Sequence, residues 1–314
     1  MRKALVALFG AVILSFFSSG VFAQNMFRKV SDFDGDGKAD FAVTRNQGGQ
    51  KIWWIWQTTD GLKVVQWGVD FDQRAASDYD GDGKTDIAVY REPTSFPPVY
   101  TFYILESQTN TFSYKSFSTF ANFGSRAVHQ DYNGDGRTDA GVNTGEFGLT
   151  TQLSVIYSGS NSGFTRSIPP GGVSIRIGDM DGGGRADIAH YAFNSNVVTI
   201  TSLETNTPLS LQFGIPNDQY QMADFDGDGK GDLTLWRSSA GDWLWIRSSD
   251  NTMQTEHWGM SGDFAVPADY DGDGRTDLAI WRPASPQSHY WVNGSSSGVS
   301  VFPWGIAGDG PVSY

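Results

Sequence analysis

"DYDGDGKTDIAVYR", residues 78–91, crowds four aspartates into nine residues and then turns apolar. The phrase returns as "DFDGDGKADFAVTR" from 32, "DYNGDGRTDAGV" from 131, "DMDGGGRADIAH" from 179, "DFDGDGKGDLTLWR" from 224 and "DYDGDGRTDLAIWR" from 269. Six copies, one every 45 to 53 residues, define the repeat. A period in that range belongs to a propeller blade or a helical solenoid unit. The residues between the copies decide which. Each aspartate loop is followed by a short apolar run ("FAVTR", "IAVYR", "LTLWR", "LAIWR") and a turn rich in Gly, Ser, Asn or Pro. A β-branched or aromatic run comes next ("KIWWIW", "VYTFYIL", "LSVIY", "VVTITSL", "DWLWIR", "HYWVN"). The third run often ends in an aromatic-glycine pair, as at Trp67-Gly68, Phe123-Gly124, Phe213-Gly214, Trp258-Gly259 and Trp304-Gly305. One more short strand candidate, such as "VPAD" ending at Asp269, precedes each loop. Outside the first residues no run sustains the i, i+3, i+4 apolar spacing of a helix. Four short strands per unit predict an all-β propeller of six four-stranded blades, with one loop per blade. Seven blades are the alternative, because the C-terminal "GDGPVSY" matches "GDFAVPA" before the sixth loop. That segment would either overlay the N-terminal "FRKVSD" as a closing latch or begin a further blade. Blades three and four are the most degenerate, and they lack the arginine that follows the second strand elsewhere as Arg45, Arg91, Arg237 and Arg282.

Within the nine-residue loop, alternating carboxylates let a tight turn wrap oxygens around one centre, and glycines at positions 4 and 6 allow the turn. Position 1 is Asp32, Asp78, Asp131, Asp179, Asp224 or Asp269, and position 3 is Asp34, Asp80, Asn133, Asp181, Asp226 or Asp271. Position 5 is Asp36, Asp82, Asp135, Asp228 or Asp273, with Gly183 in the fourth copy; position 9 is Asp40, Asp86, Asp139, Asp187, Asp232 or Asp277. The backbone carbonyl of position 7 (Lys38, Lys84, Arg137, Arg185, Lys230 or Arg275) is a further candidate ligand. All-oxygen ligation with several charges and no His or Cys selects a hard cation, and calcium fits better than magnesium or zinc. The loop begins like an EF-hand but lacks its bidentate Glu at position 12, where Val43, Val89, Val142, His190, Leu235 and Ile280 stand. Up to six calcium ions are expected. Asn133 keeps an oxygen but loses a charge and Gly183 loses a ligand, so the fourth site is expected to be the weakest.

D-x-D-G-D-G-x-x-D between the first two strands of a blade resembles the FG-GAP, or VCBS, repeat family, known from the integrin α-subunit propellers. Similar loops occur in some propeller lectins. The resemblance spans essentially the whole chain after residue 23. It implies a calcium-binding propeller and says little about what the propeller recognises.

The bulk composition agrees. The loops hold 22 of the 35 acidic residues, so six divalent cations would bring the formal charge of −13 to about −1. A sequence pI near 4.6 argues against nucleic acid or anionic lipid as a partner. The chain has no cysteine, so calcium rather than disulfides would staple the fold. Residues 1–23 read as a cleaved export signal: Arg2 and Lys3, the apolar "ALVALFGAVILSFF", then Val21-Phe22-Ala23. The mature chain is expected to start at Gln24, to be secreted or periplasmic, and not to insert into a membrane.

With 14% aromatic residues and 11 Trp, the candidate ligand platforms are Trp53, Trp54, Trp56, Trp243, Trp245 and Trp291. Their alternation is also what packing between blades requires. The repeated arginines are expected to stack on aromatics or pair with loop carboxylates. The irregular polar residues that an enzyme would need are His129, His190, His257 and His289, with Glu92, Glu106, Glu146, Glu204 and Glu256. The histidines form no repeated set, and no hydrolase or P-loop motif is present. The expectation is a monomeric, non-enzymatic recognition or adhesion module for a surface protein or a glycan. A propeller lectin and a calcium-dependent polysaccharide lyase or hydrolase are the alternatives. The "REPTSFPPVY" insertion, ahead of blade three, is the most irregular stretch.

Overall fold

The computed structural model describes residues 30–313, apart from 95, 119–124, 145–150, 161, 170–171, 177 and 193–194. The expected leader, Phe123-Gly124 and Glu146 therefore lie outside the described residues. Among those described, 24 strands form six antiparallel sheets of four. The ring has six blades, not seven. Blade 2 shows the plan, with Gln73–Arg74 innermost, then Ile87–Arg91, Val99–Leu105 and Phe112–Ser118, each paired with the next. Blade 3 runs Ser125–Ala127, Ala140–Thr144, Thr151–Ile156 and Gly163–Ile168, and blade 4 runs Gly172–Ile175, Ile188–Ala192, Val197–Thr201 and Pro208–Gln212. Blade 5 runs Gln219–Ala223, Asp232–Arg237, Asp242–Ile246 and Met253–His257, and blade 6 runs Phe264–Ala265, Leu278–Arg282, His289–Gly294 and Gly298–Pro303.

Blade 1 closes the ring. Its three outer strands, Phe41–Gln47, Gln50–Gln57 and Gly61–Val69, come from the start of the chain, and its innermost strand is Gly310–Pro311. The C-terminal segment is thus the latch, pairing Gly310 with Thr44 and Pro311 with Val43.

Burial explains the sequence pattern. The second strand of each blade is sandwiched between neighbouring blades and is buried on both faces, so "IAVYR" and "LAIWR" read as unbroken apolar runs. The third strand alternates, as in Gln50–Gln57, and the fourth lies at the rim with half its residues exposed. Trp53, Trp236, Trp243 and Trp281 are fully buried. Neighbouring blades share cores: Trp53 and Ile55 of blade 1 pack with Ile87 and Val89 of blade 2, and Trp281 and Tyr290 of blade 6 with Val43.

The aromatic-glycine pairs carry the chain between blades. Trp67 Nε1 donates to Tyr103 O of the next blade, Trp258 Nε1 to Trp291 O, and Trp304 Nε1 to Trp54 O. At Gly68, with φ +94°, a Cβ would lie 2.9 Å from Val89 of the next blade, so only glycine fits there. Four residues after the glycine stands an aspartate: Asp72, Asp218, Asp263 or Asp309. Each takes a backbone N–H of its own turn and a forked pair from the arginine of the following blade. Arg45 reaches across the closure to Asp309 at 2.6 and 2.9 Å.

This corrects one expectation. The repeated arginines do stack, with Arg45 over Trp54, Arg91 over Tyr103 and Arg282 over Trp291, but they pair with these turn aspartates, not with the metal-loop carboxylates. Thr144 in blade 3 and Ala192 in blade 4 occupy the arginine's register, so those two junctions have no such pair.

The Asp309 side chain is 1% exposed, so removing it strands the Arg45 fork and the Ile306 amide. Asp309→Ala is expected to cost about 2 kcal/mol in urea unfolding. Asp250→Ala, on an exposed turn, should leave the midpoint unchanged.

Candidate metal centre

The six aspartate loops lie on one face, each between the first and second strands of its blade, and they are joined to one another. The position 8 amide of each loop donates to the position 1 carbonyl of the preceding blade. Thr85 bonds Asp32, Thr138 bonds Asp78, Ala186 bonds Asp131, Gly231 bonds Asp179, Thr276 bonds Asp224, and Ala39 closes the circle on Asp269, all at 2.6–2.8 Å. The position 7 side chain also lies over the neighbour's position 4 glycine. Lys84 covers Gly35, Arg137 covers Gly81, and so round to Lys38 over Gly272. With φ near +80° and a long cation overhead, position 4 has no room for a side chain.

Inside a loop the backbone points its N–H groups at the carboxylates. The position 1 oxygens take the amides of positions 4 and 6, as Asp78 does from Gly81 and Gly83. One position 9 oxygen takes the amide of position 2, as Asp86 does from Tyr79. The other accepts from the turn between the third and fourth strands: Thr58 to Asp40, Ser107 to Asp86, Ser158 to Asp139, Ser248 to Asp232 and Ser295 to Asp277. Hydroxyls of the same turn hold position 5, with Thr58 and Thr59 on Asp36, Ser107 on Asp82, Ser248 on Asp228 and Ser295 on Asp273. This hydroxyl turn was not read from the sequence, although a Ser or Thr follows the third strand in most copies.

Five loops bring three carboxylate oxygens within 4.8 Å of one another: Asp32/Asp34/Asp36, Asp78/Asp80/Asp86, Asp179/Asp181/Asp187, Asp224/Asp226/Asp232 and Asp269/Asp271/Asp273. Among the described residues the third loop forms no such triad. There Asn133 Nδ2 donates to Asp135 at 3.0 Å. The fourth loop, expected from the sequence to be the weakest, does gather a carboxylate triad, and in the third the position 3 oxygen comes from the Asn133 amide instead of a carboxylate.

Burial pushes the position 9 carboxyls up from 3.8: Asp40, Asp86 and Asp139 to about 7, Asp187 to about 8, Asp232 and Asp277 to about 6. It does the same to Asp32 and Asp179, to about 6, and to Asp224, to about 7. Burial also acts on Asp36, Asp226 and Asp271, but hydroxyl and amide donors outweigh it and hold them low. Clustered carboxylates that resist ionising together are what a divalent cation relieves. Oxygen-only donors in a buried, preformed loop fit calcium.

Other expected candidates are dispersed. His129 is buried beside Arg176, His190 lies in blade 4, His257 sits exposed on Asp242, and His289 is in blade 6. Glu92 bonds Gln73, and Glu106 holds its own turn. Trp53 and Trp243 are core residues, while Trp56 is 39% exposed.

Residues 32–89 match the family model of the FG-GAP-like repeat. The other loops repeat its signature at the same place in their blades. The chain is a six-bladed propeller, and its first unit is similar to the FG-GAP-like repeat. No curated protein matches the chain in sequence. Among solved structures, AofleA from Arthrobotrys oligospora is similar at 10% identity and a TM-score of 0.53, over 93% of this chain and 90% of that one. The Aleuria aurantia lectin, described as six-bladed with a novel fucose recognition mode, gives 13% identity and a TM-score of 0.49 over 87% and 96%. A functionally unknown protein from Desulfotomaculum acetoxidans gives 14% and 0.49 over 86% and 81%. At these identities the likeness concerns the fold alone.

Around pH 5 to 7 the folded, metal-free propeller holds protons on carboxyls that the unfolded chain has already lost. Its stability is therefore greatest at low pH and falls as pH rises through the folded values. The urea midpoint of the calcium-stripped chain should drop between pH 5 and pH 8. Saturating calcium should abolish or reverse that slope.

Proposed function

We propose that this propeller is an exported, non-enzymatic recognition module that binds a surface protein or a glycan. Calcium acts in it mainly as a fold staple. The observation that carries the reading is a division of labour between the two faces. The loop face is occupied by carboxylates and their hydrogen bonds. The opposite face carries the turns between blades and the hairpins between second and third strands, and there large apolar side chains stand in solvent. Phe71 is 67% exposed, Phe96 74%, Ile215 54%, Met260 52%, Phe264 49% and Ile306 39%. On the same face stand the partly buried Arg45, Arg91, Arg237 and Arg282, whose guanidinium groups are held by aspartate forks. Exposed apolar groups beside oriented arginines make a surface suited to binding. Phe96 belongs to the "REPTSFPPVY" insertion, between the second and third strands of blade 2.

At about 1 mM calcium and a dissociation constant of about 10⁻⁴ M, each site stabilises the fold by about 1.4 kcal/mol. Several such sites are comparable with the net stability of a domain. Calorimetric titration should find five or six ions, and chelation should lower the unfolding temperature by more than ten degrees. Binding without any change in stability would refute the staple.

The recognition face is tested on a glycan array and an array of cell-surface proteins, with the calcium-loaded chain beside Phe71→Ser/Ile306→Ser. Ligands retained by the parent and lost by at least tenfold in the variant support the reading. Ligands bound equally by both place recognition elsewhere.

A further inference from the structure

The fourth loop departs from the others at three places that meet in space. Position 5 is Gly183 instead of an aspartate. The turn residue that elsewhere supplies a Ser or Thr is Leu203, packed into the core beside Ile188 and Val155. The next turn residue is Glu204, where other blades carry Thr59, Gln108, Ser249 or Ser296.

A Cβ on Gly183 would lie 2.4 Å from Glu204 Cδ and 2.8 Å from its Oε2, so the glutamate carboxyl fills the space a position 5 side chain would occupy. The Arg185 guanidinium stands 4.0 Å from the other oxygen, and the Ser202 hydroxyl is 3.4 Å from Oε2. Asp187 carries a second mark. It is 2% exposed, one oxygen accepts from the Met180 amide, and Oδ1 has no hydrogen-bond partner. In the other five blades the turn amide fills that role. Asp187 belongs to the triad with Asp179 and Asp181. A buried carboxylate oxygen without a donor, inside a carboxylate cluster, is where a bound cation would offset the desolvation of the ionised form.

We infer that the fourth loop is a complete divalent-cation site in which Glu204, reaching in from the turn between the third and fourth strands, replaces the missing position 5 ligand. Asp179, Asp181, Asp187 and Glu204 restore the four carboxylates of a regular loop. The substitution of Gly183 is then a relocation of the ligand rather than a loss. With Glu204 placed as it is, the glycine leaves its carboxyl room, and a side chain at 183 would displace it. The inference rests on the calcium reading of the other loops.

The test counts calcium on the full chain by native mass spectrometry and titration calorimetry for the parent, Glu204→Gln and Gly183→Asp/Glu204→Ser. Glu204→Gln is expected to hold one ion fewer, or to weaken one site at least tenfold. The double variant, which returns the carboxylate to position 5, is expected to regain that ion. Gly183 lies outside the positive-φ region, and shortening the side chain at 204 clears the space its carboxyl fills, so aspartate is tolerated at 183. Should Glu204→Gln fail to fold, a folded double variant with the parent's count supports the inference, and one with an ion fewer overturns it. Equal count and affinity in the parent and Glu204→Gln overturn it while leaving the calcium reading standing. A parent that binds no calcium overturns both.

Discussion

Six backbone hydrogen bonds, from the position 8 amide of one loop to the position 1 carbonyl of the loop before, hold the loop face together. A propeller blade has few covalent or sheet contacts with its neighbours, so blade-to-blade order must come from packing and from links of this kind. Here the linking residue is also the one whose side chain gathers the loop amides of positions 4 and 6. The backbone that joins two blades and the carboxylate offered to a cation thus belong to one residue. An ion that orders one loop fixes the acceptor used by the next, and local binding becomes a property of the ring.

The second system of links lies on the other face and is not sixfold. Four junctions have a buried aspartate fork gripping an arginine, and two, on either side of blade 3, do not. Both partners are missing together there: the arginine register holds Thr144 and Ala192, and no aspartate follows four residues after an aromatic-glycine pair. An unpaired buried aspartate or a stranded guanidinium would be costlier than losing both. Among the described residues, blades 2, 3 and 4 are consequently joined on that face without such forks.

The repeat was legible because its determinants are local. The aspartate spacing, the apolar run after it and the aromatic-glycine pair can be read within a single unit, and the blade count follows from counting units. Ring closure was open, because whether "GDGPVSY" starts a blade or completes one depends on the partner of Gly310, which is Thr44 at the far end of the chain. The candidate metal ligands at positions 1, 3, 5 and 9 could be named as a pattern. The turn hydroxyls that orient them could not, since Ser107 and Asp82 are brought together only by the third strand between them. The Arg–Asp forks had a signal that was overlooked: the aspartate four residues past Trp-Gly occurs in the same four units as the arginine. Glu204 had none within its own unit's pattern. It is meaningful only once its carboxyl is seen over Gly183.

The latch has a consequence for how the molecule is made. Blade 1 is the first to leave the ribosome, yet its innermost strand is Gly310–Pro311, so the first blade is the last to be finished. Every intermediate during synthesis has an open seam with an unpaired strand edge at Val43 and Thr44 and an Arg45 waiting for Asp309. Closing it joins segments separated by some 265 residues, and the entropy of that closure falls on two residues of sheet, one fork and the final loop-to-loop hydrogen bond. Maturation of the ring is thereby set by the arrival of its C-terminus rather than by the order in which its blades were translated.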